Sequence, residues 1–89
     1  MKILHISGAN GWGGNEQQIM YIIPELEKLN VENAIFGIEN SMLHNECSKK
    51  SILFFSAKDR KLNKRVNFSL LSNVIKDYNP DIVHLHTSD

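Results

Sequence analysis

The chain has 89 residues, ten Lys and Arg balanced by ten Asp and Glu, and a single cysteine. Length allows one domain, and a chain of this size hides only about two thirds of its unfolded surface. Lone Cys47 excludes an internal disulfide or a cysteine-built structural zinc, no apolar run approaches a membrane span, and zero net charge argues against bulk nucleic-acid binding.

Residues 2–7 (Lys-Ile-Leu-His-Ile-Ser) form a short β-rich run, closed by the glycine cluster Gly8, Gly11, Gly13 and Gly14. A run of this kind broken by glycine reads as a buried strand, and His5 interrupts it too early for a signal peptide. From Asn15 the period changes. Ile19, Ile22, Ile23, Leu26 and Leu29 follow helical spacing, with Asn15 as N-cap, Gln18 completing a capping box, and Asn30 suited to a left-handed C-terminal position. Pro24 inside this helix removes a hydrogen bond and predicts a kink.

Residues 34–38 read as a second strand, Asn40-Ser41 as the cap of a short helix reaching about Cys47, and residues 52–55 as a third strand. A basic connector, residues 56–65, leads into a helix striped by Leu71, Val74, Ile75 and Tyr78. Asn79-Pro80 ends that helix, because the residue before proline disfavours it. Residues 81–86 (Asp-Ile-Val-His-Leu-His) are the fourth strand.

Strands alternating with helices imply right-handed crossovers and a parallel sheet covered on both faces. The expected fold is therefore α/β, a Rossmann-like parallel four-stranded sheet in the order 3-2-1-4. In that order the first and fourth strands are neighbours, and ligands bind where the winding reverses, beyond the strands' carboxyl ends. The glycine loop and the end of the fourth strand should meet there.

Each of these features has a plain reading beside a functional one. Trp12, Gly13, Gly14 and Asn15 open a helix, where free backbone N–H groups suit phosphate, yet the same residues can form a tight turn without a ligand. The spacing matches neither a dinucleotide fingerprint nor a P-loop. Trp12 can stack on a sugar or base, or anchor the loop to its own core. Glu16, in the first turn, suits the helix dipole in either case.

His84 and His86 share one face of a strand. They can bind a sugar hydroxyl or move a proton in the cleft, or lie hydrogen-bonded under neighbouring loops. No metal site is expected, because Asp89 stands one place too late for a His-x-His-x-Asp-His pattern and no further ligands follow. His5 is expected to be a satisfied, partly buried histidine, His44 to face solvent, and Cys47 to fill apolar space.

The balanced charge conceals an asymmetry. Between residues 49 and 65, seven cations (Lys49, Lys50, Lys58, Arg60, Lys61, Lys64 and Arg65) stand against the single acid Asp59. This segment is either a solvated surface or a patch for an anionic acceptor or an acidic membrane surface.

Taken together, residues 1–6 (Met-Lys-Ile-Leu-His-Ile), Gly13-Gly14-Asn15-Glu16 opening a helix, and residues 79–86 (Asn-Pro-Asp-Ile-Val-His-Leu-His) resemble the N-terminal domain of family 4 glycosyltransferases, which have the GT-B fold. The resemblance spans essentially the whole chain. It implies transfer of a sugar from a nucleotide-sugar to a glycan or lipid-linked acceptor, with no metal or other cofactor in the catalytic step. Gly13 and Gly14 would approach the donor diphosphate, and His84 and His86 would line the acceptor side.

The single cysteine and the lack of a signal peptide or membrane span lead to the expectation of a cytoplasmic protein, peripheral at the inner face of the membrane if the basic segment contacts lipid. The sequence departs from the family at Asn30-Val31, where Gly-His is usual, and at Pro24. Because the carboxylate pair that grips the donor belongs to the family's second domain, this stretch alone is expected to be inactive. The alternative is a non-catalytic Rossmann-like module that binds phosphate or self-associates through the edge strand at residues 81–86.

Overall fold

A computed structural model of the chain describes residues 1–8, 13–57 and 65–86. The elements run β1 (Lys2–Ser7), α1 (Gly14–Lys28), β2 (Glu32–Ile38), α2 (Met42–Lys50), β3 (Leu53–Ala57), α3 (Arg65–Tyr78) and β4 (Ile82–His86). All strand pairs are parallel, and the four-stranded sheet has the order β3-β2-β1-β4. This is the expected Rossmann-like α/β sheet. β1 and β4 lie side by side with His5 opposite His84 and Ser7 opposite His86.

Strand alternation sorts the core into two layers. On one face Leu4, Ile6, Ala34, Phe36, Ile38 and Ala57 pack against Leu70, Leu71, Val74 and Tyr78 of α3. On the other, Ile35, Ile52 and Phe54 meet Ile19, Met20 and Ile23 of α1 and Leu43 and Cys47 of α2. The helical stripes are rotated slightly from their sequence reading. Met20 is buried, whereas Ile22 and Leu29 are 41% and 72% exposed and Ile75 is 37% exposed.

Helix boundaries follow local hydrogen bonds. The N-cap of α1 is Gly13 rather than Asn15, because Glu16 at the third helical position accepts the Gly13 N–H at 2.8 Å and so starts the helix two residues earlier. Gln18 takes no part in that cap and is exposed. The helix continues through the exposed Pro24 to Lys28, and Asn30 follows in the left-handed region at φ 63°. Ser41 caps α2 by accepting the His44 N–H at 3.1 Å, and α2 extends past Cys47 to Lys50 before Ser51 turns left-handed at φ 57°.

At the amino ends of the strands, the Lys2 N–H donates to Asp81 Oδ2 and the Asp81 N–H to the Lys2 carbonyl, both at 2.8 Å. The Lys2 ammonium lies 5.2 Å above the Tyr78 ring. These contacts fix the register that brings His84 beside His5. Among the described residues, no helix is long and apolar enough to cross a membrane.

Two glycines carry opposite constraints. A Cβ on Gly37 would sit 3.0 Å from Phe54 Cζ and 3.4 Å from the Ser7 carbonyl, whereas a Cβ on Gly14 would meet none of the described residues within 4 Å. The Phe54 ring is held in turn by stacking on His44, with centroids 4.3 Å apart and planes 6° from parallel. Gly37→Ala should therefore destabilise the fold by about 1 to 3 kcal/mol through overpacking. Gly14→Ala should be neutral or stabilise by up to about 1 kcal/mol. Urea unfolding of the two variants measures the difference.

Candidate functional site

The carboxyl ends of β1 and β4 meet the start of α1 at the point where the sheet's winding reverses. Three observations define the place. The first is Glu16, which is only 4% exposed. Its Oε1 accepts the Gly13 N–H at 2.8 Å and its Oε2 accepts the Ser7 hydroxyl at 3.2 Å. One buried carboxylate thereby ties the end of β1 to the opening of α1. Its negative charge sits where the helix dipole favours it.

The second is a cluster of three imidazoles. His5 is 1% exposed, His86 half-buried and His84 exposed. His84 and His86 have ring centroids 3.9 Å apart, and His5 lies 5.3 Å from His86 and 6.0 Å from His84. Hydrogen bonding assigns the protons. The Asn33 amide donates through Nδ2 to the Val31 carbonyl at 3.0 Å, so its Oδ1 faces His5 Nε2 at 2.9 Å. An amide oxygen only accepts, so His5 carries its proton on Nε2. The bare His5 Nδ1 then accepts from His86 Nε2 at 3.1 Å.

Electrostatics agree with this neutral arrangement. Burial pushes the His5 pKa down, only partly offset by the bond to Asn33, and neighbouring His84 lowers it further. Burial, His84 and then His5 push His86 down to about 4. A base that weak takes a proton poorly at neutral pH. Its imidazole is better suited to orienting a hydroxyl by hydrogen bonding than to removing its proton.

The third is an open cleft of about 430 Å³, lined by Gln18, Tyr21, Ile22 and Glu25 of α1 and by His84 and His86. Tyr21 is 69% exposed, so the cleft offers an aromatic face beside amide, carboxylate and imidazole groups. This combination fits a sugar ring, whose C–H face packs on apolar surface while its hydroxyls need hydrogen-bond partners.

The expected site residues are distributed as follows. His84 and His86 line the cleft beside α1, whereas Gly13 and Gly14 open α1 outside that lining, tied through Glu16 to Ser7, which pairs with His86. Asn15 is in the first turn of α1, but its side chain is not described, and Trp12, Lys58, Arg60, Lys61 and Lys64 lie outside the described residues. Arg65 begins α3, with its side chain likewise undescribed, whereas Lys49 and Lys50 are exposed in the last turn of α2. No glycine among the described residues has a positive φ, and Gly13 is extended at φ −143°.

His44 does not face open solvent as expected. It is half-buried against Phe54, and its Nδ1 accepts the Asn40 N–H at 2.9 Å. Cys47 fills apolar space, with burial and then Glu46 pushing its thiol up to about 11, which makes it a poor nucleophile.

Sequence reading missed the inclusion of His5 in the histidine cluster and the buried bridge made by Glu16. The available signal for His5 was its place at the centre of a strand expected to pair with the His84 strand.

A depressed histidine pKa has a signed consequence for stability. The unfolded chain titrates near about pH 6.5 and folded His86 near 4, so at intermediate pH the unfolded state binds more protons. Stability from this group is intact above the unfolded value and declines as pH falls from there towards the folded value. Histidine-detected NMR should find His86 titrating near 4, with a higher value in His84→Gln. Thermal unfolding should lose more stability between pH 7 and pH 5 than it does in His86→Gln. A His86 pKa at or above the ordinary histidine value would contradict the assignment.

Compared with known proteins, the chain matches no family model, no curated protein and no solved structure.

Proposed function

We propose that the chain is the acceptor-side, N-terminal part of a GT-B glycosyltransferase that moves a sugar from a nucleotide-sugar to a glycan or lipid-linked acceptor. The observation that supports it most is the open cleft that His84 and His86 form with α1, next to the end of β1 that Glu16 ties to the α1 start. Gly14 adds to it. None of the described residues would touch a Cβ there, so packing against them does not require glycine, whereas close approach of a diphosphate to the helix start would.

In this reading the Gly13-Gly14 turn approaches the donor phosphates and Gly14 presents its backbone N–H to them, that of Gly13 being held by Glu16. His86 and His84 orient an acceptor hydroxyl, and Tyr21 supports the sugar ring. The excess of cations in residues 49–65 supports an anionic acceptor or an acidic membrane surface nearby. No cofactor takes part.

Calorimetric titration with UDP and GDP tests the glycine turn, and release of nucleotide from a panel of nucleotide-sugars by the full gene product tests turnover. Saturable diphosphate binding is expected, and Gly14→Val should weaken it by about tenfold or more, equivalent to about 1.4 kcal/mol, with the unfolding midpoint preserved. Binding indifferent to Gly14→Val removes the turn from the site. Failure to turn over any nucleotide-sugar removes the enzymatic reading.

A second reading, a non-catalytic self-associating module, has its own supporting observation. β4 is an edge strand, with Ile82, Val83 and Leu85 exposed at 44%, 45% and 59%. An apolar edge with unpaired backbone groups recruits another strand, and a second copy of β4 would give a symmetric pairing. Sedimentation velocity over rising concentration should then show a dimer that Val83→Lys abolishes. A strictly monomeric profile at high concentration removes this reading.

A further inference from the structure

Independently of the sugar-transfer reading, we propose that His5, His84 and His86 form a binding site for a divalent late first-row transition metal of the zinc type, with one coordination position open to the cleft beside α1. One ring nitrogen of each histidine lies within 4.8 Å of those of the other two. The three come from adjacent parallel strands: His5 opposes His84 in register, and His86 is two residues further along β4 on the same face. The sheet itself therefore holds the ligand set.

The geometry is close to that of a bound ion. Two nitrogens each about 2.0 to 2.1 Å from zinc at a tetrahedral angle stand roughly 3.3 to 3.4 Å apart. His5 Nδ1 and His86 Nε2 are 3.1 Å apart. A small outward shift of His86 admits the ion between them. His84 is exposed, so a rotamer adjustment can complete the set.

The surroundings are those of a metal-ligating histidine. Such residues usually donate their remote ring N–H to an oxygen that fixes the tautomer. Asn33 does this for His5: its own amide is anchored on the Val31 carbonyl, its Oδ1 takes the Nε2 proton, and the Nδ1 lone pair is aimed into the cluster. The proton balance is simple. The ion replaces the hydrogen that His86 Nε2 shares with His5 Nδ1, and His86 keeps its proton on Nδ1 instead, so the exchange releases none.

Ligand chemistry selects the ion. An all-imidazole set suits zinc, copper or nickel, whereas calcium and magnesium require oxygen ligands. Three neutral ligands leave the ion's charge uncompensated, so a water in the open position would be strongly polarised. That position faces the cleft lined by Gln18, Tyr21 and Glu25.

The test uses the chain freed of any histidine tag and stripped with chelator, titrated with Zn²⁺ and, separately, with Co²⁺. Saturation at one equivalent is expected, with the intense visible absorption of four- or five-coordinate cobalt. In NMR, the ring signals of His5, His84 and His86 should respond to Zn²⁺ and those of His44 should not. His84→Gln and His86→Gln should each weaken binding at least about tenfold, and Asn33→Leu by about 10- to 100-fold, with His44→Gln unchanged. The exposed position of His84 keeps its variant folded, which circular dichroism checks. No saturable binding, or binding indifferent to both His84→Gln and His86→Gln, overturns the proposal and leaves a hydrogen-bonded histidine cluster.

Discussion

β1 bears the constraint on which the rest of the structure depends. It pairs with β2 from Lys2 to Ile6 and with β4 from Ile3 to Ser7, and its last five residues are buried. An interior parallel strand must have its backbone groups paired on both edges and its side chains covered on both faces. Leu4 and Ile6 meet that demand with the α3 layer. The opposite face carries His5 and Ser7, so polar groups sit where apolar packing would be ordinary. Each then requires a partner, because an unpaired buried polar group costs about 1 to 3 kcal/mol.

Those partners build the site. Ser7 gives its hydroxyl to Glu16, which holds the Gly13 N–H and thus the first turn of α1. His5 is satisfied by Asn33 on β2 and by His86 on β4, which links three adjacent strands through side chains in addition to the backbone ladder. Networks of this kind are favourable only when every member is satisfied. The glycine turn and the histidine cluster are therefore anchored on two neighbouring positions of β1, Ser7 and His5, which share one face of the strand.

The open side of the molecule follows from the same arrangement. α1 and α2 cover β2 and the middle of the sheet, and neither helix covers β4, which is exposed along most of its length. Ile22 belongs to the helical stripe of α1 yet faces the cleft beside β4. Cleft and apolar edge are thus two aspects of one uncovered strand. Carbohydrate, metal and a second chain are the occupants proposed for it.

Much of the fold was legible in the amino-acid order. The change of period at Asn15, the Asn79-Pro80 stop and the alternation of strands with helices determine an α/β sheet of order 3-2-1-4, because periodicity, turn chemistry and crossover handedness are local or nearly local constraints. The same order places the ends of the first and fourth strands side by side, with Ser7 opposite His86. Other features depended on contacts between distant residues. Whether Asn15 or Gly13 caps α1 was decided by the buried carboxylate of Glu16, which holds the Gly13 N–H and the Ser7 hydroxyl. Ile22 and Met20 both have helical spacing, and only the packing of α1 on β2 decided which is covered. His5 reads as an isolated polar residue in a strand, since a strand buried on both faces gives no alternation from which to read direction. Its tautomer and its place with His84 and His86 were set by Asn33, 28 positions away, and by the register of β4, about 80 positions away. Sequence by itself determined which elements form and where they meet; only tertiary structure decided which polar groups are buried together, because that depends on strand register and on partners far apart in the chain.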